Sequence, residues 1–405
     1  MELFFPLVLD GTNGTELQKR GYDGSMCTEA WVLDHPEVMK QLQTEYMDAG
    51  SDIVYAPTFG ANRVKLEENG LFNQVRSFNT RLTAISKDAS GGRALIAGDL
   101  ATTGKFLEPL GDMTFDDLYE VYREQAEALE ESGVDLFVIE TIMTAADARA
   151  ALLAVHDVSS KPVMVSFTCD ENGRTLTGTD VCAALVILQG MGADIFGMNC
   201  STGPAEMLPQ FRRLREFAEV PLAVKPNAGL PKIVDGNTVY ECTPEELAGY
   251  IGEFAESGAA VFGGCCGTGP DHIRAVKAAL SDFSLRRPDP KHKDKIVCAT
   301  EKDVFVLEAG QSADKVLGCT PTLEDDIKKE NKSDSSVIAI EIRAQEDLDE
   351  FALAQYTVRK PLCLVCDDAK LLDRALALYQ GRALYAGSIS TEELMPLVRR
   401  YGLII

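Results

Sequence analysis

The stretch Ala259-Ala-Val-Phe-Gly-Gly-Cys-Cys-Gly-Thr268 is a short apolar run that ends in glycines and two adjacent cysteines. Successive side chains of a strand point to opposite faces, so neighbouring thiols reach one centre only where the strand ends and bends. The glycines on both sides give such a bend its backbone freedom. The stretch therefore predicts a buried strand that delivers Cys265 and Cys266 to a common site at its carboxyl end.

A third cysteine closes a similar apolar run, Ile195-Phe-Gly-Met-Asn-Cys200. Three thiolates from two strand ends make a soft, open site, and zinc is the metal that such a site suits best. The alternative is a vicinal disulfide between Cys265 and Cys266, or two buried and inert cysteines. Because adjacent thiols between glycines suit few structural roles, we favour the metal site.

The composition excludes several classes of partner. The chain has 405 residues and a net charge of -24, from 63 acidic and 39 basic residues. Nucleic acids and anionic membrane surfaces reward an excess of Lys and Arg, so neither is expected as a partner. Eleven irregularly spaced cysteines do not form the pattern of a disulfide framework. The apolar N-terminal stretch is too short for a secretory signal and lacks its basic flank, so we expect a cytoplasmic protein.

Residues 1 to about 282 alternate short apolar runs with amphipathic stretches, which is typical of repeated strand–helix units. The candidate strands are Leu7–Asp10, Ile53–Thr58, Ala94–Asp99, Leu136–Thr141, Pro162–Thr168, Ile195–Cys200, Leu222–Asn227 and Ala259–Cys265. The candidate helices include Pro36–Ala49, Phe115–Ser132, Ala145–His156, Asp180–Gln189 and Thr243–Ser257. Eight such units predict an α/β fold, a closed (β/α)8 TIM barrel, with an open doubly wound sheet as the alternative.

The barrel prediction places the functional residues, because catalytic groups of such barrels sit at the carboxyl ends of the strands. Each of the eight predicted strand ends is polar or carries a thiol: Asp10, Thr58, Asp99, Glu140, Thr168, Cys200, Asn227 and the pair Cys265-Cys266. A purely structural barrel has no reason to concentrate such groups on one face. This face is therefore the predicted active site.

A Pro-rich, charged stretch that begins at Arg286 predicts a linker. The predicted domains are a barrel at 1–285, a linker at 286–298 and a smaller α/β domain at 299–405. Candidate strands of the smaller domain are Val304–Leu307, Val316–Gly318, Val337–Ile340, Pro361–Val365, Ala383–Tyr385 and Gly402–Ile405. An open strand edge at Leu403–Ile405 predicts a homodimer or a partner contact through this domain. Cys363-Leu-Val-Cys366 has the spacing of a metal or redox pair, but it lies within a strand pattern without a second pair nearby.

Six stretches of the first 282 residues resemble the homocysteine S-methyltransferase family, which forms the N-terminal domain of cobalamin-dependent methionine synthase and includes betaine–homocysteine methyltransferase. They occur in the order and spacing of the family. The stretches are Asp10-Gly-Thr-Asn-Gly-Thr15, Thr58-Phe-Gly-Ala-Asn62, Glu140-Thr141, Gly197-Met-Asn-Cys200 with Gly203-Pro204, Lys225-Pro-Asn-Ala-Gly229 and Gly263-Gly-Cys-Cys-Gly-Thr268.

The resemblance implies a ligand set and a substrate. The zinc ligands would be Cys200, Cys265 and Cys266, and Asn227 would occupy a fourth position until the thiol of homocysteine displaces it. Metal coordination removes the proton of a thiol at neutral pH, so zinc would generate and orient the attacking thiolate. A general base at the sulfur is then unnecessary, which agrees with the lack of a histidine at any predicted strand end.

The resemblance also implies that Asp10 and Glu140 hold the amino group of homocysteine, and that backbone amides of Gly11 and Thr12 take its carboxylate. The chemistry supports these roles, because carboxylates suit an ammonium and a Gly-rich turn offers free N–H groups. From the residues alone, Asp10 could instead serve the turn before Gly11. Glu140 could instead form a buried ion pair.

The second domain resembles the beginning of the pterin-binding barrel that follows the homocysteine domain in methionine synthase. The matching stretches are Val316-Leu-Gly-Cys-Thr-Pro-Thr322, Pro361-Leu-Cys-Leu-Val-Cys-Asp-Asp368 and Gly387-Ser-Ile-Ser390. The polar residues that should hold the pterin are mostly replaced, for example by Cys366 and Gly387. We therefore expect a docking surface or a dimer contact here, rather than a folate site.

The methyl donor is the open part of the sequence prediction. The chain carries neither an Asp-x-His-x-x-Gly cobalamin motif nor a Gly-rich nucleotide-binding unit. The expected donor is therefore a methyl-corrinoid (cobalamin) on a separate protein, docked over the strand-end face. The alternatives are a small sulfonium or betaine donor, a folate donor bound by the second domain, and a non-catalytic zinc- or thiol-binding subunit of a methyl-transfer assembly.

Overall fold

A computed structural model describes residues 3–108, 110–234, 237–281, 283, 285, 288–308 and 310–405. In chain order, the first ten strands are β1 (Leu7–Val8), β2 (Ile53–Tyr55), β3 (Leu95–Ala101), β4 (Leu136–Ile142), β5 (Val163–Phe167), β6 (Ile195–Asn199), β7 (Leu222–Lys225), β8 (Lys232–Val234), β9 (Asn237–Val239) and β10 (Ala259–Phe262). Eight of them form one parallel sheet in the order β1-β10-β7-β6-β5-β4-β3-β2, while β8 and β9 form an antiparallel hairpin.

The sheet closes into the predicted barrel, and side chains complete the seam between β1 and β2. The backbone N–H of Asp52 donates to the Val8 carbonyl at 2.7 Å. The Asp52 carboxylate accepts from the Val8 N–H, and the Asp10 carboxylate accepts from the Tyr55 N–H, each at 2.8 Å. The (β/α)8 prediction is confirmed, and Asp10 forms part of the closure.

Alternate strand residues fill the barrel interior, as the period of a strand requires. The interior cluster is entirely buried and consists of Leu7, Leu9, Ile53, Tyr55, Ala97, Leu136, Val138, Met164, Ile195, Ala223 and Val261. The other strand faces pack against the surrounding helices in a larger cluster. Burial of each large aliphatic side chain contributes about 2 kcal/mol, so the layers fix the strand ends on which the site depends.

Twelve helices accompany the described barrel strands: α1 (Gly14–Lys19), α2 (Thr28–Asp34), α3 (Pro36–Ala49), α4 (Arg63–Glu67), α5 (Val75–Ser90), α6 (Phe115–Glu131), α7 (Ala145–Val158), α8 (Val181–Gly190), α9 (Pro204–Leu214), α10 (Pro244–Gly249), α11 (Ile251–Glu256) and α12 (Pro270–Leu280). The predicted helix Thr243–Ser257 is two helices that meet at Tyr250, where glycines at 249 and 252 weaken the helical backbone. Its start is as expected, with a capping box between Thr243 and Glu246.

The remaining residues form two further sheets. Strands β11 (Ile296–Ala299) and β12 (Val304–Leu307) pair antiparallel, and four parallel strands follow in chain order: β13 (Val316–Gly318), β14 (Ile338–Glu341), β15 (Leu362–Val365) and β16 (Leu384–Ala386). The helices are α13 (Leu323–Glu330), α14 (Gln345–Ala354), α15 (Ala369–Leu378) and α16 (Thr391–Tyr401). Residues 296–298 of the predicted linker belong to β11, and Arg286 and Arg287 lie outside the described residues. The domain boundaries themselves stay a prediction.

The four-stranded sheet packs on the helical layer of the barrel. Arg149 of α7 is fully buried and donates to the carbonyls of Leu376 (2.6 Å) and Ala377 (3.2 Å). It also contacts the side-chain oxygen of Gln380 at 3.2 Å. The interface is thus anchored by a buried guanidinium. Within the described part of the chain, no helix is both long enough and apolar enough to cross a membrane.

Candidate active site

The three predicted thiols meet at the carboxyl end of the barrel. The sulfur atoms of Cys200, Cys265 and Cys266 all lie within 4.8 Å of one another, and those of Cys200 and Cys266 are 3.9 Å apart. Cys200 directly follows β6 and takes a left-handed backbone conformation, with φ of 63°, as does Ser201 with φ of 61°. Such conformations are costly for residues other than glycine, and they concentrate at functional sites. The turn aims the Cys200 thiol back at the end of β10.

The turn after β10 is held by the end of β7. The Cys265 N–H donates to the Pro226 carbonyl at 2.8 Å, and the Cys266 N–H donates to the side-chain oxygen of Asn227 at 3.0 Å. Gly267 has φ of 81°, and a Cβ there would lie 2.4 Å from that of Tyr240, so only glycine fits. The oxygen with which Asn227 would reach a metal therefore serves a backbone N–H in this structure.

The thiols share their protons unequally. Hydrogen bonds from Cys200, Cys265 and Tyr240 lower the pKa of Cys266, so this thiol is the most readily ionised of the three. Donation to the other two sulfurs, together with burial, raises the pKa of Cys265. Three sulfur donors on two strand ends, with no carboxylate in the group, form the donor set of a thiophilic cation. The residues present therefore fit zinc.

A pocket of about 300 Å³ opens beside the thiols. Its walls are residues of β2, β3, β4 and β7, the turns that follow β1, β2, β6 and β10, and the start of α2. The lining residues are Gly11, Thr12, Asn13, Gly14, Thr28, Glu29, Tyr55, Pro57, Phe59, Asp99, Glu140, Thr141, Cys200, Lys225, Gly264, Cys265 and Cys266. The thiols thus share one small cavity with Glu140, one of the two predicted acids.

Asp10 lies beneath this pocket and is 0% exposed. One of its carboxylate oxygens accepts from the Tyr55 N–H, whereas Oδ1 has no hydrogen-bond partner among the described residues. Burial raises the pKa of Asp10 to about 6, against the opposing effect of Lys225. A buried carboxylate oxygen without a hydrogen bond is costly in a closed protein, and it suits a site that receives a cation.

Lys225 lies between the two predicted acids, and the sequence had not assigned it a role. Its ammonium is 3.3 Å from Glu140 Oε2, 3.7 Å from Asp10 Oδ1 and 3.7 Å from the centre of the Tyr55 ring. Glu140 therefore forms the buried ion pair that was the alternative for this residue. A lysine within the apolar run Leu222–Asn227 was the available signal, because a buried lysine needs a partner.

Asn199 fixes the turn that follows Glu140. Its side-chain oxygen accepts from the Thr141 N–H at 2.9 Å and from the Ser166 hydroxyl at 2.8 Å. Its side-chain N–H donates to the Thr141 hydroxyl at 2.7 Å. These bonds hold Thr141 at φ of 58°, which is a strained value for threonine. The sequence did not indicate this support, because it joins the ends of β4 and β6.

The structure agrees only in part with the prediction that backbone amides of Gly11 and Thr12 bind the substrate carboxylate. Gly11 lies so close to Tyr46 and to the Thr268 carbonyl that a Cβ would come within 2.9 Å of both. The Thr12 N–H, however, donates to the Thr268 carbonyl at 3.2 Å and is not free. Gly11 therefore remains the candidate to bind the substrate carboxylate, whereas Thr12 only lines the pocket.

Two other polar strand ends, Thr58 and Thr168, have structural hydrogen-bond partners. Thr58 and Asp99 exchange hydrogen bonds between the Thr58 hydroxyl and the Asp99 backbone, and Thr168 bonds the hydroxyl of Ser201. Cys366 donates to the carbonyl of Asp368. Among the described residues, the three barrel thiols are the only cluster of three or more His, Cys, Asp or Glu side chains close enough to share a metal.

The fold and the site define a class of protein: an α/β barrel enzyme whose strand ends combine a cluster of three thiols with buried acids. The sequence narrows that class. Residues 7–280 match the profile of the family described as Homocysteine S-methyltransferase, and the chain belongs to this family. The predicted family membership is confirmed.

Curated relatives agree with this assignment. The chain is 33% identical over 295 residues to the methionine synthase of Mycobacterium leprae (strain TN), and over 303 residues to that of Mycobacterium tuberculosis (strain ATCC 25618 / H37Rv). These alignments cover 68% and 70% of the chain but only 24% and 25% of the relatives, so the chain spans about a quarter of their length.

The homocysteine methyltransferase MmuM from Escherichia coli has the same fold. Its oxidized form has a TM-score of 0.59 and its metallated form 0.58, both at 23% identity. Each match covers 67% of this chain and 95% of MmuM.

Proposed function

We propose that the chain catalyses zinc-dependent transfer of a methyl group to the thiol of homocysteine, which yields methionine. The proposal rests on one observation. Three convergent thiols and buried carboxylates line the same pocket of about 300 Å³. A thiol substrate with an ammonium and a carboxylate can reach both walls of so small a cavity. Family membership over residues 7–280 supports the same reaction.

Each group has a distinct role in the proposed reaction. Cys200, Cys265 and Cys266 would hold zinc, which when bound supplies the Lewis acidity that turns a substrate thiol into a thiolate. Asp10 and Glu140 bind and orient the ammonium, and the Gly11 amide receives the carboxylate. The walls around these groups exclude water and hold the sulfur in one direction, towards the mouth of the pocket.

The methyl donor is proposed to be a methyl-corrinoid carried by a separate protein. Large apolar side chains stand exposed on the segments that follow the carboxyl ends of β1, β2, β3, β5 and β7, and such side chains suit a docked protein: Met26, Phe59, Phe106, Leu110, Leu176, Leu230 and Ile233. A small sulfonium or betaine donor is the competing candidate. An assay with each donor class, with and without the methyl-corrinoid protein, separates the two.

The experiment that tests the proposal is zinc analysis combined with zinc X-ray absorption, with and without homocysteine. We expect one zinc per chain with three sulfur neighbours, and a fourth sulfur after homocysteine is added. A chain that binds no zinc, or zinc whose sulfur count does not change, would refute the thiolate mechanism. A Cys265→Ser variant that loses zinc but still assembles with its partners would favour the non-catalytic subunit.

We propose that residues 299–405 serve as a docking or dimer surface rather than as a folate site. The support is structural: β13 is an edge strand with Val316 exposed, and Leu353 and Ile405 are also exposed. Sedimentation velocity at micromolar concentration is expected to show a homodimer. A monomer would count against the dimer, and binding of methyltetrahydrofolate by this part of the chain would restore the folate alternative.

A further inference from the structure

The pocket that would receive homocysteine has more acids than the two predicted ones. Of the residues that line it, Glu29, Asp99 and Glu140 are acidic, Lys225 is the single lysine or arginine, and Asp10 lies directly behind. The Glu29 carboxylate accepts from the Gly60 N–H at 2.7 Å and is thereby tied to the wall. The remaining three carboxylates share one ammonium.

We propose that Asp99 and Lys225 convert the pair Asp10–Glu140 into a site for two ammonium groups. Lys225 fills one position permanently, 3.7 Å from Oδ1 of Asp10. The α-ammonium of the substrate fills the other, where it donates to Oδ1 of Asp99 and shares Oδ1 of Asp10 with Lys225; neither oxygen has a hydrogen-bond partner among the described residues. This inference rests on the proposed function. It assigns to Asp99 the selection of thiols that carry an amino group, and to Lys225 the role of resident counter-ion.

The position of Lys225 is fixed from three sides. Glu140 and Asp10 flank its ammonium at 3.3 Å and 3.7 Å, and the face of the Tyr55 ring lies 3.7 Å away. A cation over an aromatic face gains electrostatic energy when both are desolvated. The Lys225 side chain is 6% exposed, so it is held inside the pocket wall.

Asp99 offers the second position. Its side chain is buried, it lines the pocket, and its Oδ1 has no hydrogen-bond partner among the described residues, a feature that it shares with Oδ1 of Asp10. Its backbone is fixed, because the N–H donates to the Thr58 hydroxyl at 3.1 Å and the carbonyl accepts from Thr58 at 2.8 Å and from Gln125 at 3.3 Å. A rigid backbone with an unsatisfied carboxylate oxygen is the arrangement of a prepared cation acceptor.

Lys225 alone cannot neutralise the carboxylates around the pocket. Burying an ionised carboxylate without a partner costs several kcal/mol, so the carboxylates in excess of Lys225 favour entry of a second cation. Burial and the Glu140 charge raise the pKa of Asp99, so the ionised form of Asp99 needs a cation beside it. A thiol without an ammonium leaves the excess uncompensated, and it should therefore bind less well than homocysteine.

The test compares homocysteine with mercaptobutyrate, which has the same thiol and carboxylate but no amino group. Isothermal titration of the zinc-loaded full chain gives both affinities at one mildly alkaline pH. In Asp99→Asn, we expect the preference for homocysteine to fall about tenfold, or roughly 1.4 kcal/mol. In Lys225→Gln, the preference is expected to rise, because the substrate then supplies the only ammonium group in the pocket. Zinc content and thermal unfolding verify that both variants are folded and loaded.

The two variants are expected to change the preference for homocysteine in opposite directions. Either variant alone can therefore refute the inference, even if the other does not fold. An unchanged preference in Asp99→Asn, or a reduced preference in Lys225→Gln, would overturn the two-ammonium site while both thiols still bind to zinc. That result would leave the proposed methyl transfer standing. If neither thiol adds a sulfur to zinc in the unmodified chain, the proposed function fails first and this inference fails with it.

Discussion

The barrel sheet and the four-stranded sheet of residues 316–386 are built from the same unit, a parallel strand followed by a helix, yet they arrange their strand ends differently. In the barrel, eight strands turn their ends towards one axis, and Asp10 and Glu140 become buried. In the smaller sheet, the strands stay side by side. Asp367 and Ser388 at their ends are exposed and bond only to each other, at 2.7 and 2.8 Å.

The cysteines show the same contrast. Three barrel thiols converge within 4.8 Å. In the smaller sheet, Cys319 and Cys366 donate to nearby backbone carbonyls. Strand–helix alternation places polar groups at strand ends, but closure of the sheet brings those ends together. The following predictions test this difference.

The largest expected effect distinguishes the three barrel thiols from the cysteines of the smaller sheet. Cys265→Ser removes one of three sulfur donors, and we expect zinc binding at neutral pH and methyl transfer to fall at least a thousandfold. Cys363→Ser is the matched control in the smaller sheet, where zinc content and activity should not change. Metal analysis after dialysis and an assay of methionine formation measure both. Zinc lost from the Cys363 variant would instead revive the Cys363–Cys366 pair as a second site.

The next effect concerns the interface between the two sheets. Arg149→Met leaves two buried carbonyls and the Gln380 side chain without their donor, and this should lower the free energy of unfolding by about 2–4 kcal/mol. Because the barrel has its own closed core, we expect urea to unfold the smaller sheet first in this variant. Fluorescence and circular dichroism should then give separate transitions.

The control for this prediction is an exposed ion pair at the same interface. Arg374 contacts Asp116 at 2.7 and 2.8 Å, but both side chains are largely exposed. Arg374→Met should therefore cost less than about 1 kcal/mol. If it costs as much as Arg149→Met, the anchoring of the interface by a buried guanidinium is wrong.

The barrel could be predicted closely from the sequence, because local signals determine it. Short apolar runs gave all eight strands, with ends that differ by at most a few residues from those observed. Glycines beside Cys265 and Cys266 marked the bend that aims the thiols. In residues 296–299, the signal was weaker. The strand β11 begins in a charged stretch and is stabilised by pairing with β12, so the sequence predicts its first three residues, 296–298, to be linker.

The site could be predicted only in part, because the missed contacts join strands that are distant in the chain. Lys225 reaches Tyr55 and Asp10 across the barrel, and its direction depends on the register of β7. The support of Thr141 by Asn199 likewise joins β4 and β6. Residue types at strand ends indicate which groups are available, and the closed barrel decides which of them meet.

The Asp10 carboxylate shows what burial of an acid in the closed barrel costs in stability. Burial raises its folded-state pKa from 3.8 to about 6, so the protonated form is the one that the fold stabilises. This stabilisation is complete below pH 3.8 and is lost as the pH rises through about 6. The loss is on the order of 3 kcal/mol. In Asp10→Asn this loss of stability with rising pH should disappear, because the amide is neutral and can still accept from the Tyr55 N–H.

We therefore expect Asp10→Asn to be more stable than the unmodified chain at pH 8, and equally stable near pH 4. Its affinity for homocysteine should fall at least tenfold, because the ammonium loses a charged acceptor. Urea titrations at both pH values and calorimetric binding measure the two effects. A variant that is less stable at pH 8 would mean that the Lys225 contact outweighs the burial of Asp10.

The smallest effect is expected at the corresponding acid of the open sheet. Hydrogen bonds from Ser388 lower the pKa of Asp367, which is the opposite direction to Asp10. Its ionised form therefore stabilises the fold above the unfolded pKa, and that contribution is lost as the pH falls through the folded one. Because Asp367 is exposed, water screens the contribution, and Asp367→Asn should leave the urea midpoint and homocysteine affinity unchanged within error. A pH dependence as large as that of Asp10 would show that closure of the sheet is not what sets the two acids apart.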